Sequence, residues 1–97
     1  MPAYVIAEID VTDPETYDEY RRQVPATVEA FGGTFRVRGG EITALEGGWE
    51  PKRLVILEFP SVEQARAWYR SDSYGPLIEL RQSASHGRLV LVEGVDG

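Results

Sequence analysis

The chain has no cysteine, one histidine, one methionine and only ten basic side chains in 97 residues. Without cysteine there is no disulfide framework, no thiol nucleophile and no thiolate metal site. A lone histidine precludes a multi-histidine metal or haem site within one subunit, so neither a metal nor another cofactor is expected. Ten basic against sixteen acidic residues leave a formal charge of −6 and a pI near 4.7, which argues against the basic stripe of a nucleic-acid groove. No apolar run approaches the roughly 18 residues that crossing a bilayer requires, and no signal-peptide core is evident. The expectation is a soluble, cytoplasmic protein with neither nucleic acid nor membrane as partner. The glycine-rich stretches fit neither a phosphate loop nor a dinucleotide fingerprint, and there is no nucleophile elbow. The length suits one domain over residues 1–97, since two would each be too short to bury a core.

What the sequence does contain is patterned. Tyr4 to Val11 alternates, with Val5, Ala7, Ile9 and Val11 on one side, the period of a strand. Thr12 and Glu15 stand in capping-box spacing, Pro14 suits a first helical turn, and Tyr17, Tyr20, Val24, Val28 and Phe31 recur at helical spacing. Pro25 inside this run predicts a kink or short break near Val24, and Gly32-Gly33 ends the helix. Thr34–Arg38 and Ile42–Leu45 are expected to form one long strand bent at Gly39-Gly40. A turn at Gly47–Pro51 then leads back into a strand from Arg53 to Phe59. Ser61 with Gln64 opens a second helix carrying Val62, Ala65, Trp68 and Tyr69. A break at 71–73 precedes a further helical stretch, and Arg88–Glu93 alternates again. The order βαββαβ predicts an α+β, ferredoxin-like fold, a four-stranded antiparallel sheet with its helices on one face.

Two helical regions cover one face of such a sheet. Val5/Ala7/Ile9, Val55/Leu57/Phe59, Leu89/Leu91, Phe35 and Val37 suit the covered side. The complementary face then holds Tyr4, Ile6, Leu54, Ile56, Val90 and Val92 together with Glu8, Asp10, Glu58, Arg36, Arg38 and Arg88. That set is too apolar for a face in water and too charged for a core unless the charges are paired. It predicts a homodimer packed open face to open face, with a cavity for a small molecule beside that face or between sheet and helices. The surplus acidity says little about a ligand. Residues 1–50 hold ten acids and four bases, whereas residues 51–97 hold six of each, and much of the excess sits at the start of the first helix, where the dipole favours it.

Several blocks carry a resemblance: Asp13-Pro14 with Tyr17 and Tyr20, Gly32 through Gly40 (GGTFRVRGG), Leu45-Glu46-Gly47 with Trp49, Pro51 and Arg53, Glu58-Phe59-Pro60-Ser61, and Trp68–Ser71 with Tyr74 and Arg81. Together they resemble the domain-of-unknown-function family 1330, within the dimeric α+β barrel superfamily, over nearly the whole chain. The resemblance implies a ferredoxin-like fold that dimerises through its sheets. It brings no agreed catalytic residues, and the wider superfamily includes cofactor-independent monooxygenases, haem-degrading enzymes, isomerases and dehydratases, so fold alone assigns no chemistry.

Candidate site residues follow from residue type. Glu8, Glu58 and His86 are the proton-transfer candidates, although His86, with no orienting partner to name, reads more readily as an ordinary exposed loop residue. Arg38 before Gly39 and Gly40 reads either as a clamp on an anionic ligand or as an ion-pair partner of Glu8 or Glu58. Arg53 reads as a second ligand contact or as a partner of Glu46. Trp49, Tyr69 and Tyr74 complete a candidate binding wall, although Tyr69 with Trp68 also fits a core stripe. Three functions remain open at this point: binding of a small polar or anionic organic molecule, cofactor-independent acid/base catalysis, and a non-catalytic sensor or interaction module.

Overall fold

A computed structural model describes residues 1–96. Strand β1 spans Ala3–Val11, helix α1 Pro14–Ala30, β2 Thr34–Arg38, β3 Leu54–Phe59, α2 Val62–Tyr69, α3 Gly75–Ala84 and β4 Ser85–Glu93. The four strands pair antiparallel in the order β2-β3-β1-β4, the ferredoxin-like arrangement expected of the element order. No helix among the described residues is long and apolar enough to cross a membrane.

Residues buried along β1 alternate with half-buried ones from Ala3 to Ile9, as period 2 demands of a sheet covered on one side. Val5, Ala7 and Ile9 meet Leu57 and Phe59 beneath Tyr17, Tyr20, Val24 and Val28 of α1 and Trp68 of α2. Trp68 is 1% exposed, and its indole N–H donates to Thr27 Oγ1 at 3.0 Å, so the largest core side chain buries no unmet donor. Leu91, assigned to the covered side by alternation, is exposed: it lies on edge strand β4 along a groove beside α2 that no helix fills.

Three local expectations need correction. The α1 cap is Asp13, not Thr12. Asp13 accepts from Thr16 N–H and from its hydroxyl, while Thr12 N–H is taken by the Ala84 carbonyl at 2.8 Å. Helix α1 continues from Pro14 to Ala30 without a break at Pro25. Finally, β2 ends at Arg38, and no strand forms over 42–45. Gly39 turns the chain at φ +75°, and β3 offers pairing only from Leu54 onward, leaving 39–53 as a connection. Trp49 fastens that connection to the sheet by donating to Glu8 Oε2 at 3.0 Å.

The most consequential irregularity lies in β2. Phe35 pairs with Leu57, Val37 with Ile56 and Arg38 with Val55. Two residues of β2 therefore oppose one step of β3, a bulge at Arg36. Alternation places Phe35 and Val37 on one face. The bulge instead turns Val37 to the open face beside Ile56 and sends Arg38 to the covered face beside Val55.

Two predictions test this packing. A Cβ on Gly33 would lie 2.6 Å from Val28 Cγ1 and 2.7 Å from Phe59 Cε1, both in the core. Gly33→Ala is therefore expected to cost about 1–3 kcal/mol by overpacking, measurable by denaturant unfolding. Hydrogen bonds from Trp49 and Arg88 hold the Glu8 carboxyl below the ordinary carboxylate range. Its stabilising contribution is thus present above the unfolded-state value and lost as pH falls through the lower folded one. The Trp49 indole N–H resonance should move in an acid titration whose midpoint lies below the ordinary glutamate range, and Glu8→Gln should abolish that transition.

Candidate functional site

The bulge brings Arg38 to the rim of a cavity between the sheet and the helices. Arg53 joins it from the start of β3: the Arg53 carbonyl accepts from Ile9 N–H at 2.9 Å, so Arg53 shares the covered face with Ile9. Gly39 is required for this approach, because its φ is positive and a Cβ there would collide with the Arg53 guanidinium. Arg81 enters from α3, one turn after Leu77 and one turn before Ala84, with both of which it is buried.

These three arginines line the cavity together with Tyr17, Tyr20 and Tyr74, and among the described residues no carboxylate side chain contributes to its wall. The enclosed space is about 30 Å³, enough for a water or the head of a small anion. Its exposed lining residues are Arg21 and Arg38, which places the mouth between α1 and β2. At the mouth Arg38 stacks over Phe35 with 4.5 Å from Cζ to the ring centroid and donates from Nη2 to the Arg21 carbonyl at 2.6 Å. Arg53 stands 5.6 Å from the Tyr17 ring centroid, and its buried Nε has no hydrogen-bond partner. Arg81, 6% exposed, donates from Nη1 to Tyr74 Oη at 2.9 Å. The expected pairings of Arg38 with Glu8 or Glu58 and of Arg53 with Glu46 do not occur among the described residues.

The hydroxyls extend this donor-rich surface. Arginine only donates, so Tyr74 Oη accepts from Arg81. Tyr74 and Tyr20 share a further hydrogen bond of 2.8 Å between their hydroxyl oxygens, in which either can donate, so one of the two protons is left over from that bond. Burial and the adjacent Tyr74 push the Tyr20 hydroxyl well above the ordinary tyrosine range. Burial raises Tyr74 too, while Arg81 opposes the shift. Both are neutral donors near pH 7. Desolvation, with repulsion from Arg21 and Arg53, depresses the Arg38 value, yet a guanidinium stays charged at neutral pH. The cavity is therefore positive and rich in donors.

The acids expected to move protons sit elsewhere. Glu8 is on the open face, bonded to Arg88 Nε at 2.9 Å and to Trp49. Glu58 accepts from Arg36 Nε at 2.9 Å. His86 is exposed opposite Asp10, at a polar cleft it shares with Glu8, Glu50 and Lys52. Trp49 lies with this group, 59% exposed. Tyr69 is 40% exposed in the groove between α2 and β4, with its ring centroid 5.8 Å from that of Tyr74. Nothing in the structure approaches the Cβ position of Gly40. Of the expected binding residues, the cavity thus unites Arg38, Arg53 and Tyr74, with Gly39 clearing space for Arg53.

Arg21, Arg81, Tyr17 and Tyr20 are polar lining residues that sequence reasoning passed over as site candidates. Arg81 had a legible signal, a charged residue in the apolar stripe Leu77–Arg81–Ala84. Tyr17 and Tyr20 read simply as a helix face, because spacing reports burial and not where a hydroxyl points.

The fold is shared with solved structures at low identity. A protein of unknown function from Rhodopseudomonas palustris superposes with a TM-score of 0.78 at 20% identity, over 99% of this chain and 84% of that one. A dimeric ferredoxin-like protein of unknown function from Jannaschia sp. CCS1 gives 0.73 at 14% identity, over 97% and 100%. SnoaB, a cofactor-independent oxygenase from Streptomyces nogalater, gives 0.62 at 10% identity, over 99% and 95%. No curated protein matches the chain. The model of the domain of unknown function DUF1330 matches residues 2–95, nearly every residue used above, and the chain belongs to that family.

Proposed function

We propose that this domain is a homodimer that binds a small organic carboxylate in the cavity between its sheet and helices. The carrying observation is the convergence of Arg38, Arg53 and Arg81 on one cavity whose wall contains no carboxylate side chain. Guanidinium groups held close together without counter-charge repel one another, and an anion relieves that repulsion while accepting charge-assisted hydrogen bonds. The aromatic and aliphatic remainder of the wall suits an apolar body behind the acid group. With about 30 Å³ enclosed, the head group enters and the rest of the ligand lies toward the Arg21–Arg38 mouth.

The homodimer reading rests on the other face. Glu8 and Glu58 are neutralised within the chain by Arg88 and Arg36, so Tyr4, Ile6, Val37, Ile56, Val90 and Val92 can be covered without stranding those charges. A second copy brings the same self-complementary surface, and the structurally similar Jannaschia protein is described as dimeric.

Melting curves with benzoate, against benzamide and chloride at equal ionic strength, test the cavity. Benzoate at about ten times its Kd is expected to raise Tm by several degrees, and benzamide is not. Arg53→Gln should weaken benzoate binding roughly tenfold, the scale of one charge-assisted contact. If none of benzoate, acetate and succinate shifts Tm beyond chloride, the carboxylate reading fails. Light scattering at micromolar concentration should give twice the 10.8 kDa chain mass. Ile56→Asp should return it to a single chain with the circular dichroism retained.

A further inference from the structure

We infer that Pro25 is a positioning residue for the cavity mouth: by withholding a helical N–H it leaves the Arg21 carbonyl free to hold the Arg38 guanidinium. In an α-helix the N–H of residue 25 would bond to the carbonyl of residue 21. Proline has no N–H, and inside a helix it is ordinarily among the least tolerated residues. Here α1 nevertheless runs through Pro25 from Pro14 to Ala30. The carbonyl that proline deprives of its helical donor is the one that accepts Arg38 Nη2 at 2.6 Å.

The two irregularities therefore meet. The bulge at Arg36 delivers Arg38 to the covered face, and the proline supplies the acceptor that fixes it there. Without that acceptor, little but the stack on Phe35 would restrain a long, largely exposed side chain that Arg21 and Arg53 both repel. One of the five guanidinium N–H donors is engaged by Arg21, and the others remain to meet an anion at the mouth. An ordinary residue at position 25 would direct its own N–H at the same carbonyl, occupying one of its two lone pairs and weakening it as an acceptor for Arg38.

The functional consequence rests on the carboxylate reading, but the seating of Arg38 does not, and the experiment separates them. Two variants are compared with the wild type: Pro25→Ala, which restores the N–H, and a semisynthetic chain with lactic acid at position 25, an ester that lacks both N–H and ring. Side-chain ¹⁵N NMR of Arg38 reports seating through slowed rotation of its terminal nitrogens, and calorimetry with benzoate reports affinity. Pro25→Ala is expected to leave Tm undiminished, to average the Arg38 terminal-nitrogen signals and to raise the benzoate Kd roughly tenfold. The lactic acid variant should stay within about twofold of wild type in Kd, with its Arg38 signals unaveraged. Wild-type Arg38 signals and affinity in Pro25→Ala would overturn the inference. Equal loss in both variants would overturn it too, by assigning the effect to the ring. If the wild type binds no carboxylate, the cavity reading fails, and the NMR comparison alone still decides whether Pro25 seats Arg38.

Discussion

One extra residue in β2 governs the rest of the architecture. A strand that alternated without interruption would put Val37 in the core and Arg38 on the open face. The bulge at Arg36 exchanges those destinations, because two residues spent against one restore the pleat with the faces inverted. Arg36 itself stays tied to Glu58 across the β2–β3 pair. From that exchange follow both the guanidinium at the cavity mouth and the additional aliphatic side chain on the open face. Gly39 then reverses the chain at φ +75° and clears the space that Arg53 occupies.

The charge distribution that results is separated by face. Each open-face ion pair is built from arginine and glutamate on neighbouring strands: Glu8 with Arg88 and Glu58 with Arg36. On the covered side, Arg38, Arg53 and Arg81 face the cavity without an acidic partner. A chain with a formal charge of −6 has acids enough to neutralise them, and the fold sends those acids elsewhere. Arg81 shows how such a charge is tolerated. It is buried, yet it donates to Tyr74, which is in turn hydrogen-bonded to Tyr20, so the guanidinium is hydrogen-bonded while its charge is not cancelled. The molecule holds a positive potential in a small, largely desolvated space, where electrostatic attraction for an anion is stronger than in water.

Much of this was legible in the sequence. Period-2 runs, helical spacing and the Ser61 capping signal located the sheet and helices, and alternation alone separated the faces of β1. What escaped was local and long-range at once. Alternation in Thr34–Arg38 cannot reveal a bulge, since the extra residue is defined only by the register of β3 against it. Ile42–Leu45 had the composition of a strand but no pairing partner once β3 began at Leu54. Thr12 had the capping residue type, but the helix starts at Pro14, so Asp13 stands at the cap and its carboxylate reaches the Thr16 N–H. The site followed the same rule. Arg38, Arg53 and Tyr74 were visible as residue types, whereas Arg81 and Tyr20 became site residues only when α1 and α3 were brought together.

Pro25 marks the point at which local rules and function diverge. By helix propensity alone it is the wrong residue for the middle of α1, and the structure shows neither a chain break nor a new turn there. Conflicts between local preference and global fold concentrate where a protein uses the irregularity. The same holds for the bulge at Arg36 and the positive φ of Gly39. All three bear on the placement of Arg38 or its neighbour Arg53, and each removes something regular structure would have kept: a helical N–H, a β-ladder register, a Cβ. Regular helix commits one lone pair of each interior carbonyl to a backbone N–H, and at Arg21 the proline releases it. The arginine that two others repel is held by the one carbonyl of α1 that Pro25 leaves without its helical donor.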